Sequence, residues 1–311
     1  MGWYVDGNNV NHGFMRTPDG TITGIDAPGA GTSAGQGTIA YAMNSRQEAA
    51  GEYIDGNGVA HAFLRTPKGD FKKFEAPGAG TSAGEGTFAC NLNEAGEISG
   101  DYYVANGNWQ AFVRSKDGTI AEYNVGVDLS CGTFYSLSET GWVTGYSRDS
   151  SSVWHGYQRS PDGSITMFDA PDAGTGAFQG TYPTAINSGL EVAGDIIDMN
   201  NAYHGFLRTV DGKFTIFDPP GAGTGTYQGT EAYSVNLKGE IVGQFFDSNN
   251  VTHGFLRQPD GRFVTIDAPG AGTAAGQGTL AAGGNDAGAI TGFYYDSNGV
   301  VHGFLRTAQL N

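Results

Sequence analysis

The sequence predicts an all-β fold, a single β-propeller domain over residues 1–311 with seven four-stranded blades, and three observations carry that expectation. First, the phrase His-Gly-Phe-(Leu/Met)-Arg, or a close variant, starts at His12, His61, Gln110, His155, His204, His253 and His302, at intervals of 49, 49, 45, 49, 49 and 49 residues. A fixed period near 50 residues marks a stacked or circular repeat architecture. Second, 52 glycines, 15 tyrosines and 18 phenylalanines with few charged helix-forming runs suit short strands joined by tight turns. Third, no window carries helical periodicity and no apolar run reaches the length of a membrane span, so a soluble protein is expected.

Residues 229–278 serve as the specimen repeat. Residues 231–236 (EAYSVN) form an apolar strand, D, and residues 237–239 turn into strand A, residues 240–247 (EIVGQFFD). Ser248, Asn249 and Asn250 tolerate left-handed backbone and make the next turn. Strand B is residues 251–257 (VTHGFLR); Pro259-Asp260-Gly261 is a hairpin turn into strand C, residues 262–267 (RFVTID). The glycine-rich crossover 268–278 (APGAGTAAGQG) leads to the next D strand. Three hairpins and one crossover per repeat make a radial sheet, D innermost and C outermost, rather than a solenoid coil. The chain order is A-B-C, five full D-A-B-C sets, then D-A-B, which implies seven blades with incomplete ends. A six-bladed ring is the fallback, if one terminal hairpin is displaced or swapped.

The net charge is −16, with 32 acidic against 16 basic residues, which repels nucleic acid and anionic membrane surfaces. Cys90 and Cys131 fit no zinc motif and are either bridged or two thiols. The given residues show no signal-peptide pattern, and Met1-Gly2-Trp3 falls in mid-repeat, which suggests a trimmed or incomplete end. Low lysine with abundant Asn, Thr, Ser, Gly and Tyr suits an extracellular or periplasmic location, and a monomer is expected.

The pattern Ile-Asn-x-x-Gly-x-(Ile/Val)-x-Gly, met by residues 186–194 (INSGLEVAG) except that Leu190 stands at the middle glycine, is followed by an Asp and then by His-(Gly/Ala)-Phe-Leu-Arg. This pattern resembles the HAF-family extracellular repeat over essentially the whole chain, and His61-Ala62-Phe63 spells the family name. The resemblance implies a bacterial, exported, propeller-like protein and supplies no catalytic residue set.

The repeated histidines read as scaffold. Strand B would stand about 10 Å further from the axis than strand D, too far for histidines of adjacent blades to share an ion. Each is expected to bond the Asp that ends strand A (Asp6, Asp55, Asp198, Asp247, Asp296); Gln110 replaces histidine where Val104 replaces that Asp. The glycine-rich crossovers lack a following helix and a P-loop lysine, so a nucleotide site is not expected. Asp-x-Asn loops such as Asp6-Gly7-Asn8 make a structural calcium ion the one cofactor candidate, without the spaced acids of a calcium loop.

Function is sought where the repeats disagree. After the strand-A glycine the residues are Trp3, Glu52, Asp101, Tyr146, Asp195, Gln244 and Phe293; before the histidine slot they are Asn11, Ala60, Trp109, Trp154, Tyr203, Thr252 and Val301. In the crossover, Gly35, Gly84 and Gly276 correspond to Phe178 and Tyr227, and strand D adds Tyr182 and Glu231. These substitutions place aromatic and carboxylate groups on one face over repeats three to five, a composition that suits stacking on sugar rings. Trp109, Trp154, Phe178, Tyr182, Tyr203, Tyr227, Gln244 and Arg148 are the ligand-binding candidates. If the protein is an enzyme, Asp101, Asp195, Glu52 and Glu231 are candidates for the two carboxylates, about 5–10 Å apart, of glycoside hydrolysis. A lyase would instead use Tyr146 or a histidine as base with Arg148 as cation. The shortened crossover of repeat three, residues 124–132 (NVGVDLSCG), would open a cleft rim. The sequence leaves catalysis open, and the alternative is a non-catalytic scaffold for a protein or peptide.

Overall fold

The computed structural model describes residues 1–105, 107–125 and 136–307. Among them are strands and turns and no helix. The chain divides into two compact units, Met1–Gly141 and Trp142–Asn311. Cys131 lies outside the described residues, as does most of the repeat-three crossover.

The specimen repeat forms as its pattern requires. Strands Gly229–Val235, Ile241–Phe246, Thr252–Arg257 and Phe263–Ile266 pair antiparallel in the order D-A-B-C. The first unit holds A-B-C (Gly2–Val5, Asn11–Arg16, Ile22–Ile25) and two full sets beginning at Gly37–Met43 and Gly86–Leu92. The second holds A-B-C (Val143–Arg148, Trp154–Arg159, Ile165–Phe168) and full sets beginning at Gly180–Ile186 and Gly229–Val235. It ends with D-A-B (Gly278–Gly284, Ile290–Tyr295, Val301–Arg306).

Within each unit one parallel bridge joins consecutive repeats, from the first residue of strand B to the glycine that opens the following D strand: Asn11 to Gly37, Ala60 to Gly86, Trp154 to Gly180, Tyr203 to Gly229 and Thr252 to Gly278. These glycines have φ from +109° to +132°, and a Cβ on any of them would come within 2.0–2.1 Å of the bridged carbonyl oxygen. Only glycine lets the two backbones approach this closely.

A lone four-stranded sheet leaves its apolar faces wet, so the core forms between consecutive repeats. Ala62, Ala89, Ile98 and Phe112 pack together in the first unit, and Ala193, Ala232, Ile241 and Phe255 in the second. The phenylalanine of the repeated phrase is fully buried at Phe63, Phe112, Phe206 and Phe255. Burial of each such ring contributes about 1.5–3 kcal/mol. The arginine of the phrase lies over a strand-C ring of the preceding repeat: Arg114 over Phe74 at 4.8 Å, Arg208 over Phe168 at 4.7 Å and Arg257 over Phe217 at 4.9 Å.

An asparagine after strand D ties neighbouring repeats together. The side-chain amide of Asn187 donates to the carbonyl of Asn236, one repeat on, at 2.9 Å, and to the Glu191 carboxylate at 2.8 Å. Its oxygen accepts the Glu191 backbone N–H at 3.0 Å. Asn44, Asn93 and Asn236 make the same bonds in their own repeats, to the carbonyls of Asn93, Ser138 and Asn285.

The histidines are scaffold, but their main partner differs from the expected one. His12, His61, His155, His204 and His253 bond through Nδ1, at 2.6–2.9 Å, to the carboxylate that follows strand C: Asp26, Glu75, Asp169, Asp218 and Asp267. The register explains this, since Gly13 pairs with Ile25 and so sets Asp26 beside His12. The Asp ending strand A stands 3.4–3.9 Å from Nε2 in these five repeats. Its oxygen is engaged by the A–B turn, where Asp6 accepts the backbone N–H groups of Asn8 and Val10. His302 bonds the Asp that ends its own strand A, through Nε2 to Asp296 at 3.2 Å. In repeat three, Tyr102 donates to Gln110 at 2.7 Å.

Two outcomes follow. Asn187→Ala removes the bond across the repeat seam to the Asn236 carbonyl, which keeps the Gly239 N–H, and leaves the Glu191 backbone N–H without its acceptor. It should cost about 1–3 kcal/mol in denaturant unfolding, and a loss near zero would remove the asparagine from the repeat interface. The pH profile of Tm should be a dome. Turn amides, those of Val10, Val59, Val153 and Val300 first, hold the carboxyls of Asp6, Asp55, Asp149 and Asp296 below the ordinary value. That stabilisation is present above about pH 4 and is lost as pH falls through the lowered folded values. His204 is raised by its bond to Asp218; in His155 burial acts downward but the bonds to Asp169 and Asp149 prevail. Their stabilisation is complete below about pH 6.5 and fades as pH rises through the raised folded values. A Tm that keeps climbing from pH 6 to pH 9 would contradict the histidine half.

Candidate ligand-binding face

In every repeat where it is described, the crossover packs on the A–B turn of the repeat it leaves. The backbone N–H groups of Gly35, Gly84, Phe178, Tyr227 and Gly276 donate to the carbonyls of Asn9, Gly58, Ser152, Asn201 and Asn250 at 2.7–2.9 Å. These five residues are one structural position, and all are left-handed: φ is +78°, +82° and +75° at the glycines, +66° at Phe178 and +59° at Tyr227. A Cβ at Gly35, Gly84 or Gly276 would meet nothing within 4 Å, so a side chain here projects away from the protein. Phe178 and Tyr227 are accordingly 59% and 63% exposed. A bulky aromatic residue in this conformation costs on the order of 1–3 kcal/mol, and exposure means that core burial does not offset it.

In the second unit an aromatic cluster adjoins the exposed rings, through Arg148 at Phe178 and directly at Tyr227. Trp154 opens strand B and packs against Tyr146 at 5.2 Å and Tyr182 at 5.6 Å, and those two rings meet at 4.9 Å. The Arg148 guanidinium lies 5.4 Å from the Trp154 ring and 5.6 Å from that of Phe178. The Tyr182 hydroxyl donates to the Phe178 carbonyl at 2.9 Å. One repeat on, Tyr203 takes the place of Trp154 and lies 6.3 Å from Tyr227. An open groove of about 480 Å³ runs beside the crossover that carries Phe178, lined among others by Asp172, Thr175, Asp198, Met199, Asn200 and His204.

Under the rings lies a carboxyl cluster. The sheet register sets Asp195 opposite Tyr182 and Glu231 opposite Gln244. Glu231 accepts the Tyr233 hydroxyl at 2.7 Å and the Gln244 amide. Asp195 is buried, and burial together with the neighbouring Glu231 pushes its carboxyl well above the ordinary range. The phenols respond to the same surroundings: burial and the charges of Glu231 and Asp195 push Tyr203 up to about 12, and Tyr233 is raised as well. The first unit repeats the theme with Glu52, whose carboxyl is raised by burial against a 3.2 Å bond from the Tyr41 hydroxyl, with the Asp101 charge raising it further. Glu52 Oε2 has no hydrogen-bond partner among the described residues. Trp109 packs there against Phe88 and Tyr103.

The predicted residues therefore separate by depth. Phe178 and Tyr227 stand on the surface; Trp109, Arg148, Tyr182, Tyr203 and Glu231 are half-buried; Glu52, Asp101, Tyr146, Trp154, Asp195 and Gln244 are buried. Trp154, Tyr182, Asp195, Tyr203, Glu231 and Gln244 belong to one cluster in the second unit, whereas Glu52, Asp101 and Trp109 belong to the first. Sequence reasoning passed over Tyr233, the Glu231 partner; its signal was a phenol two residues further along the same strand. It also passed over Asp172, left-handed at φ +68° where Gly29, Gly221 and Gly270 are equivalent. Among the described residues no group of three or more His, Cys, Asp or Glu is placed to hold a metal ion.

No family model and no curated protein matches the chain. Among solved structures it is similar to a lectin from Burkholderia pseudomallei, with TM-score 0.61 and 12% identity over 99% of this chain and 92% of that one. It is similar also to virginiamycin B lyase from Staphylococcus aureus (TM-score 0.53, 15% identity, 88% and 87% covered) and to the Aleuria aurantia lectin in complex with Fucα1-6GlcNAc (TM-score 0.50, 13% identity, 87% and 92% covered). These neighbours are propeller-type proteins, and at such identities the likeness concerns the fold alone.

Two stability outcomes follow. Phe178→Gly and Tyr227→Gly relieve a left-handed backbone and should leave stability unchanged or raise it by up to ~1 kcal/mol; losses above that would mark both rings as packing elements. Asp195→Asn should raise Tm by an amount that grows as pH climbs from 4 to 8. The raised folded value makes the wild type lose stability once the unfolded carboxyl ionises near pH 4, and the amide does not titrate. A pH-independent difference would show that Asp195 ionises normally.

Proposed function

We propose that this chain is an exported, monomeric β-propeller of HAF-type repeats, seven-bladed, that binds carbohydrate on the face carried by the crossovers and A–B turns. The observation that carries this reading is the pair of exposed rings at Phe178 and Tyr227, held at φ +66° and +59° where the other crossovers have glycine. Strained backbone persists where function requires it, and flat apolar rings flanked by hydroxyls and amides suit the apolar face and the hydroxyl rim of a sugar. The charge of −16 favours a neutral glycan over an anionic one. Two of the solved structures of similar fold are named as lectins, which is consistent with a propeller serving this purpose.

Cleavage is the second reading, favoured by one observation: Asp195 and Glu231 are neighbouring carboxyls, and burial together with Glu231 raises the Asp195 carboxyl well above the ordinary range. General acid–base hydrolysis uses two neighbouring carboxyls, one of them with a raised proton affinity. The burial of Asp195, opposite Tyr182 in the sheet, favours a supporting role for it.

The test is a panel of neutral and acidic polysaccharides assayed for retention and for released reducing ends. Retention of a neutral polysaccharide by the wild type, cut at least tenfold by Phe178→Gly together with Tyr227→Gly, is the expected result. Absence of binding across the panel would overturn the carbohydrate reading, and a protein partner would then be sought. Release of reducing ends that disappears in Asp195→Asn and Glu231→Gln would establish cleavage.

A further inference from the structure

We infer that Phe178 and Tyr227 are two subsites of one groove for an extended oligosaccharide, not two copies of a single-sugar pocket; this rests on the carbohydrate reading above. The two rings flank a single turn. Asn201, in the A–B turn of repeat five, accepts the Gln179 side-chain amide through Oδ1 at 3.0 Å and the Tyr227 backbone N–H through its carbonyl at 2.7 Å. The crossover carrying Phe178 and the crossover carrying Tyr227 are thus fastened to opposite sides of the same residue. Both rings leave the backbone at the same repeat position, with nearly the same φ and the same amide bond, so they project from the same side of the sheet.

Their separation follows from the strand ladder. Gly180 pairs with Ile197, Ile197 with Tyr203 and Tyr203 with Gly229, and the two rings each precede their glycine by two residues. Three inter-strand steps, at most about 14 Å, separate the two glycines, a spacing that a short chain of pyranose rings can bridge.

The local polar groups argue in the same direction. The amide oxygens of Gln179 and Gln228 accept the backbone N–H groups of Gly176 and Gly225, and their nitrogens donate to Asn201 and Asn250. The Tyr182 hydroxyl is engaged by the Phe178 carbonyl. These groups hold the crossovers in place, so each subsite offers a stacking surface with few convergent donors. A single stacked ring contributes about tenfold in affinity or less. Two linked ones multiply, because the second contact forms within an already bound chain.

The test is calorimetric titration with gluco-, xylo-, manno- and N-acetylglucosamine oligomers of one to six units. In the series that binds, affinity should rise at least tenfold from the monosaccharide to the longest oligomer, with one chain bound per protein. Phe178→Gly and Tyr227→Gly should each flatten that length dependence and cost the longest oligomer about tenfold, while leaving the monosaccharide nearly unaffected. Both variants carry the residue that other repeats use at this position, so loss of folding does not confound them. A monosaccharide binding as tightly as its hexamer, at two per chain, would overturn the shared groove and leave the carbohydrate reading standing. Silence of all four series, with a polysaccharide retained in the broader panel, would overturn the inference as well, whereas silence in both would overturn the two together.

Discussion

Everything in this protein depends on the fact that a single four-stranded repeat cannot bury its own faces. The asparagine after strand D states the constraint in hydrogen bonds: Asn187 satisfies its own turn with its oxygen and reaches the next repeat with its nitrogen. A repeat without a successor loses one of that nitrogen's two acceptors and leaves the alanine and phenylalanine faces beside it uncovered. Stability therefore resides in the seams between repeats. The repeated phrase serves those seams: its phenylalanine fills the core, its arginine covers a ring of the preceding repeat, and its histidine fastens strand B to the end of strand C.

Against that uniform scaffold, departures from the pattern acquire meaning according to depth. At the buried strand-A position, drift from one repeat to another produces Glu52, Asp101, Tyr146, Asp195 and Gln244. Burial penalises the charged form of acids there and raises the carboxyls of Glu52 and Asp195 well above the ordinary range. At the exposed crossover position, the same kind of departure creates Phe178 and Tyr227, which contribute little to the core and hold an unfavourable backbone. The surface substitutions are the ones that scaffold physics does not account for.

Much was legible in one dimension. The 49-residue interval, the turn residues and the alternating apolar pattern determined the four strands of each repeat, their order and their antiparallel pairing, because these are set by local geometry and by a period that the chain states openly. The aromatic replacements at Phe178 and Tyr227 stood out by alignment of the repeats alone. That the histidines belong to the scaffold was readable too.

Only the tertiary structure decided which carboxylate each histidine bonds, since that depends on the B–C register, and a shift of one residue there would exchange partners. Only it separated the exposed rings from the buried acids, because burial is a property of packing between repeats that are 49 residues apart in the chain. And only it exposed the left-handed backbone beneath Phe178 and Tyr227. The sequence alone determined that these two residues differ from glycine; the fold decided that the difference carries a conformational cost on an open face.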